Sequence, residues 1–126
     1  MKTGIVFDQI VGMVLAHYRT KVAGLSQHQA IVGTSIGTSS LSRLEKGDYS
    51  LNMEQLFELS KSFGVDMSDV VASVESTRNN IENHDVHIAF EKKANTNILL
   101  LSTDSLTSMI VDEQAESIET HLEKNT

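Results

Sequence analysis

The fold of this chain is decided by residues 24–47, which read GLSQHQAIVGTSIGTSSLSRLEKG. Ser26 is placed to begin a short helix, because its hydroxyl can accept a hydrogen bond from an unpaired amide of the first turn. Gly47 follows a second helical segment, at the position where a left-handed residue ends many helices. Between them, Thr34-Ser35-Ile36-Gly37 is too polar and too rich in glycine to be part of one uninterrupted helix. The stretch therefore predicts two short helices joined by a turn.

Two helices this short bury little surface alone, so they must pack on helices that flank them. Upstream, the apolar positions that recur at helical spacing are Phe7, Ile10, Val11, Val14, Leu15 and Tyr18. Downstream, Asn52 can cap a helix that Gly64 ends, with Gln55 at the capping-box position. Asp66 can cap a further helix that begins near Met67. The pattern predicts a mainly α chain with five helices between about residues 7 and 80.

Several spaced blocks of this sequence resemble the Cro/phage-repressor-type (XRE) helix-turn-helix domain. The blocks are Gly12-x-x-Leu15-x-x-x-Arg19, Gly24-Leu25-Ser26-Gln27, Leu41-Ser42-Arg43-Leu44-Glu45-Lys46-Gly47, Leu56-x-x-Leu59 and Phe63-Gly64-Val65. The resemblance covers about residues 7–72. It implies a sequence-specific DNA-binding transcriptional regulator, a repressor or autorepressor, which binds a palindromic operator as a homodimer.

The chain departs from the family pattern in three places. Ala30-Ile31 stands where the family usually has Leu-Ala, Leu51 stands where it often has proline, and the turn before Leu25 is one residue longer than usual. Arg19 resembles a first-helix arginine that in some relatives pairs with the glutamate matching Glu45. The longer turn leaves this pairing open. We expect a divergent member of the family.

The resemblance implies that the second motif helix reads bases in the major groove, while the first, predicted over residues 26–34, crosses it with its N-terminus on phosphate. Arg43 can grip O6 and N7 of a guanine with two hydrogen bonds, bind a phosphate, or face solvent. The short polar residues that open the second helix have a second explanation as helix caps. The residues predicted to contact DNA are Gln27, His28, Thr38, Ser39, Ser40, Ser42, Arg43 and Lys46.

The charge of the chain is unusual for a DNA-binding protein, because binding to phosphates depends on lysine and arginine. The formal net charge is −7, and residues 73–126 carry most of it, with 4 basic and 10 acidic side chains. Residues 1–72 have 6 basic and 7 acidic side chains and are therefore near neutral. We expect that two copies are needed for tight binding to DNA.

The chain divides into a helix-turn-helix domain, predicted over residues 1–80, and a dimerisation extension over residues 81–126. Val86, Ile88 and Phe90 alternate with polar residues, and a second apolar run follows at residues 98–101, so the pattern predicts a β-hairpin. An amphipathic C-terminal helix is predicted after it. We expect the helical domain to close its core without the extension. The residues predicted to form the dimer are Val86, Ile88, Phe90, Leu99, Leu101, Val111, Ile118 and Leu122.

Several classes of function are disfavoured by the sequence. The absence of cysteine excludes disulfides and thiolate metal sites, and His84 and His87 are interpreted as surface residues. No catalytic spacing or glycine-rich phosphate loop is present. We therefore expect neither enzymatic activity, nor a cofactor, nor a bound metal ion.

The location and the partners of the protein are predicted only in outline. No apolar run approaches the roughly 20 residues of a membrane helix, and residues 1–4 lack the layout of a secretion signal. We expect a cytoplasmic protein whose partners are double-stranded DNA and a second copy of the chain. An alternative is an antitoxin-like module whose acidic tail binds a partner protein, with promoter binding secondary.

Overall fold

The computed structural model of the protein describes residues 2–90 and 98–100, with the side chains of residues 4–90. The elements in chain order are β1 (Lys2–Val6), α1 (Phe7–His17), a π-helical turn (Tyr18–Val22), α2 (Gln27–Ala30), α3 (Thr38–Lys46), α4 (Met53–Phe63), α5 (Met67–Asn83), β2 (His87–Ala89) and β3 (Ile98–Leu100). Within residues 2–90 the five predicted helices are all present, in the predicted order.

Three helix boundaries lie where the sequence predicted a capping residue. The Ser26 hydroxyl accepts a hydrogen bond from the Gln29 amide at 3.1 Å, which begins α2. The Asn52 side chain accepts one from the Gln55 amide at 2.8 Å, which begins α4. Gly47 ends α3 in the left-handed conformation, with φ of 76°. These boundaries depend on local hydrogen bonds.

Helix α2 is shorter than the sequence predicted. It ends at Ala30, and residues 31–37 connect it to α3. Gly33 has a positive φ of 79°, a conformation that no helix continues through. The Thr34 hydroxyl donates to the Ile31 carbonyl at 2.7 Å, a local bond that competes with helical hydrogen bonding. The prediction of a helix over residues 26–34 was therefore wrong for its second half.

The predicted β-hairpin is also wrong. Across the described ranges the strands form one parallel sheet in the order β2-β1-β3, so β2 and β3 each pair with β1 and not with each other. Ile5 lies opposite Ile88, and Thr3 lies opposite Leu99. Parallel strands need a long crossover, which the helical domain supplies between β1 and β2. The sequence analysis missed β1, whose only signal is the short apolar run Ile5-Val6-Phe7.

The described side chains of residues 4–90 form two buried clusters of apolar residues. The first lies among α1, the two motif helices, α4 and α5, and it includes Leu15, Leu41 and Leu59. The second is formed by Ile5, Ile10, Met13, Ile81 and Val86. This second cluster joins β1 and α1 to Ile81 and Val86, which lie beyond the predicted boundary at residue 80. Closure of the helical core without the extension stays a prediction.

The predicted dimerisation residues lie in different environments. Val86 is buried and Ile88 half-buried, and both belong to the second cluster of their own chain. Phe90 is 74% exposed. Leu99 lies in β3. Leu101, Val111, Ile118, Leu122 and the predicted C-terminal helix lie outside the described residues.

Candidate nucleic-acid interface

Helix α3 has one buried face and one exposed polar face. Its buried residues are Leu41, Leu44 and Glu45. The predicted contact residues on the other side are Thr38, Ser39, Arg43 and Lys46, which are exposed, and Ser42, which is half-buried. Their spacing of i, i+1, i+4, i+5 and i+8 places them along one side of a helix. The structure therefore brings these five predicted residues together on one surface.

Ser40 differs from its neighbours on α3. Its side chain is half-buried, and its backbone carbonyl accepts a hydrogen bond from the Tyr49 hydroxyl at 3.0 Å. Tyr49 follows the end of α3, so this bond ties the connection after the helix back to its first turn. The sequence analysis assigned no role to Tyr49.

Two glycines allow α1 to lie directly against the end of α3. A Cβ atom at Gly12 would lie 2.3 Å from the carbonyl oxygen of Glu45 and 2.5 Å from that of Leu44. A Cβ atom at Gly47 would lie 2.6 Å from the backbone nitrogen of Gln9. All these neighbours are backbone atoms, which move only with their helices. The back of α3 is thus held by close packing.

A charged pair joins the same end of α3 to the start of the motif. The Arg19 Nε donates to Glu45 Oε2 at 2.7 Å, and Nη2 donates to Oε1 at 3.0 Å. The third nitrogen, Nη1, donates to the Leu25 carbonyl at 2.9 Å. The exposed fractions of the two side chains are 14% for Arg19 and 7% for Glu45. Two parallel hydrogen bonds between an arginine and a carboxylate fix the relative orientation of the two groups and strengthen their interaction. The pairing of Arg19 with Glu45, which the sequence left open, is therefore present.

The extra residue before Leu25 is accommodated by the π-helical turn. The Ala23 amide donates to the Tyr18 carbonyl at 2.8 Å, a bond across five residues where an α-helix bonds across four. The next bond runs from the Leu25 amide to the Arg19 carbonyl at 2.8 Å. The π-helical turn thus connects Arg19 to Leu25, and Arg19 lies within hydrogen-bond distance of Glu45.

The π-helical turn is anchored to α5 through Tyr18, whose side chain is fully buried. The hydroxyls of Tyr18 and Ser73 lie 2.7 Å apart, and each lies within 3.1 Å of the Asp69 carbonyl. Burial raises the pKa of Tyr18, while the bond to Ser73 opposes this shift. The hydroxyl therefore stays protonated as a donor. The sequence analysis treated Tyr18 only as an apolar residue of the first helix.

The two predicted contact residues of α2 differ in their surroundings. His28 is exposed. Gln27 is half-buried, and its side-chain amide donates to Glu45 Oε1 at 3.1 Å. Gln27 therefore completes the charged cluster of Arg19 and Glu45. Contact of Gln27 with phosphate remains a prediction.

The structure therefore contains two short helices, α2 and α3, joined by residues 31–37, and the exposed face of α3 carries polar and basic side chains. Residues 19–70 match the family model described as "Helix-turn-helix". This match confirms, over residues 19–70, the Cro/repressor-type (XRE) domain inferred from the sequence. It supports DNA binding and transcription regulation in general terms. Searches of curated proteins and of solved structures gave no significant match.

The described residues, 2–90 and 98–100, contain neither a candidate metal site nor a membrane-spanning helix. No three histidine, aspartate or glutamate side chains there lie close enough to share a metal ion. None of the helices in the same ranges has the length and apolar character to cross a membrane.

Proposed function

We propose that the chain is a repressor or autorepressor that binds a palindromic operator as a homodimer, with α3 in the major groove. The observation that carries this proposal is the exposed face of α3, where Thr38, Ser39 and Arg43 face outward while the opposite face is fixed to α1. Short polar side chains and an arginine are suited to base edges, and a helix held from behind presents them in a constant geometry.

Selection of bound sequences from a random DNA pool tests this proposal. The full-length protein is expected to enrich a palindrome, whose half-sites lie about one helical turn, roughly 34 Å, apart. Enrichment of a single unpaired site would contradict the proposed symmetry. Absence of any enrichment would contradict sequence-specific binding and would favour the alternative of a protein-binding module.

Replacing Arg43 with alanine is expected to weaken operator binding by about 1–3 kcal/mol, which is the usual value of a good two-point contact with guanine. Repeating the pool selection with this variant should relax one position in each half-site. Arg78→Ala is the matched control, because it removes the same charge from α5, where Arg78 pairs with Glu75 and Glu82. Equal loss of affinity in both variants, with unchanged sequence preference, would remove Arg43 from base recognition.

The second copy is proposed to cover the apolar surface around Val71 and Phe90. These side chains are 53% and 74% exposed, and both line a groove of about 360 Å³. The rest of the groove is mostly apolar, with Val11, Leu56 and Val74 among its lining residues. Exposed apolar surface of this kind marks many interaction sites, and a two-fold contact suits a palindromic operator.

A variant with Val71→Ser and Phe90→Ser is expected to sediment as a monomer at micromolar concentration. Its operator affinity should fall at least about tenfold, because two half-sites would no longer be bound by one linked molecule. Phe57→Ser provides the control, since Phe57 is a 54% exposed apolar residue of α4 that does not line the groove. A double variant that still sediments as a dimer would place the interface elsewhere.

A further inference from the structure

Two side chains of α4 hold the long connection between the motif helices. The Ser62 hydroxyl donates to the carbonyl of Ala30, the last residue of α2, at 2.6 Å. The Glu58 carboxylate accepts the Ser35 hydroxyl at 2.9 Å. The same carboxylate accepts the Ser35 amide, with the nitrogen 3.2 and 3.3 Å from its two oxygens. Helix α4 therefore holds the chain at Ala30, just before this connection, and at Ser35, near the end of the connection.

This connection needs external support because α2 ends early. Helix-turn-helix motifs are usually joined by three or four residues, whereas here residues 31–37 lie between the two helices. A longer connection leaves more backbone groups to be satisfied and has more conformational freedom to lose. The N-cap of α3 is Gly37, which has no side chain with which to fix the start of the helix.

Ser35 lies two residues before this N-cap, and Ile36 between them is buried in the first core cluster. The position of Ser35 therefore constrains where α3 begins and where Thr38 and Ser39 point. We propose that Glu58, a residue outside the motif, is a positioning residue for base recognition by the first turn of α3. This inference rests on the proposed function, since it concerns how the chain selects its operator.

If Glu58 acted on DNA only through its negative charge, removing it would have the opposite effect on affinity for the operator. A carboxylate that only repels phosphates would, when removed, increase affinity for every DNA sequence alike. A carboxylate that positions Ser35 would, when removed, lower affinity for the operator selectively. The ratio of operator affinity to random-duplex affinity distinguishes the two roles, because a uniform charge effect cancels in it.

The test compares three full-length variants at one salt concentration. Glu58→Ala is expected to lower the affinity ratio by about threefold to tenfold, which corresponds to the net value of an ordinary hydrogen bond, because the bonds between Ser35 and Glu58 are exposed to solvent. Glu58→Gln retains an acceptor oxygen without the charge and should retain most of the ratio. Glu54→Ala is the matched control, because Glu54 is an exposed glutamate one turn earlier on α4, and it should leave the ratio unchanged.

A second readout needs no DNA. The Ser35 amide should exchange its hydrogen faster in Glu58→Ala than in the wild type or in Glu54→Ala. If both Glu58 variants bind operator and random DNA equally more tightly, with unchanged exchange at Ser35, the positioning role is wrong. If the wild type itself prefers no sequence, the proposed function fails, and the exchange rate at Ser35 alone then decides whether Glu58 holds the connection.

Discussion

Replacing Gly12 with alanine is expected to destabilise the fold by about 3 kcal/mol, at the upper end of the range for overpacking a core. The added methyl group would lie 2.3 Å from the Glu45 carbonyl oxygen, well inside any real contact distance. Alanine would favour the helix itself by about 1 kcal/mol, but the clash is with backbone atoms of α3. The two helices must separate, and the separation also displaces the face of α3 that meets DNA.

Denaturant unfolding of the Gly12→Ala protein, together with operator binding below its midpoint, measures both effects. Gly37→Ala is the matched control, because Gly37 has an ordinary φ of −83° and a Cβ atom there would meet only the Ser40 hydroxyl, at 4.0 Å. Because Gly37 is the N-cap of α3, the control should lose only the preference for glycine over alanine at that position, about 1 kcal/mol or less. An unchanged midpoint for Gly12→Ala would mean that α1 does not lie directly on the end of α3.

Replacing Arg19 with alanine is expected to cost about 3 kcal/mol, the lower end of the range for removing one partner of a buried ion pair, because this pair is only partly buried. The Glu45 carboxylate would remain only 7% exposed, with the Gln27 amide as its one remaining partner among the bonds described here. The Leu25 carbonyl would also lose the donor that fixes the entry to α2. Thermal or denaturant unfolding measures the loss.

A second variant separates the ion pair from general damage. Replacing both partners, Arg19→Met with Glu45→Leu, should recover much of the stability, because no buried charge is then left unpaired. Arg78→Ala removes exposed ion pairs instead and should barely change the midpoint, as is usual for surface pairs. If Arg19→Ala is no more harmful than Arg78→Ala, the buried pair does not hold α3.

The helices and the exposed face of α3 were predictable from the sequence because both depend on neighbours along the chain. Ser26 and Asn52 cap helices through amides three residues away, and Gly47 ends α3 by its own conformation. The spacing that exposes Thr38 and Arg43 follows from helical periodicity alone. These features need no knowledge of the rest of the fold, and the family resemblance linked them to DNA.

The contacts that hold α3 and the connection before it could be identified only from the tertiary structure. Arg19 and Glu45 are 26 residues apart in the sequence. Arg19 lies in a π-helical turn, which the residue types of that segment do not predict. Glu58 reaches Ser35 across 23 residues. Side chains that match in charge or polarity have many potential partners, and packing selects among them.

The pairing of the strands is the clearest case of a long-range contact that the sequence did not predict. The alternation of Val86, Ile88 and Phe90 predicted a strand but not its partner, and it is satisfied equally by a hairpin or by a parallel neighbour. β1 has five residues, of which only Ile5 and Val6 are apolar, and it leads directly into α1. Burial of Ile5 with Ile81 and Val86 favours β1 as the partner. The sequence by itself determined the five helices and the surface proposed to meet DNA, while contacts between distant residues determined how the elements are paired and held.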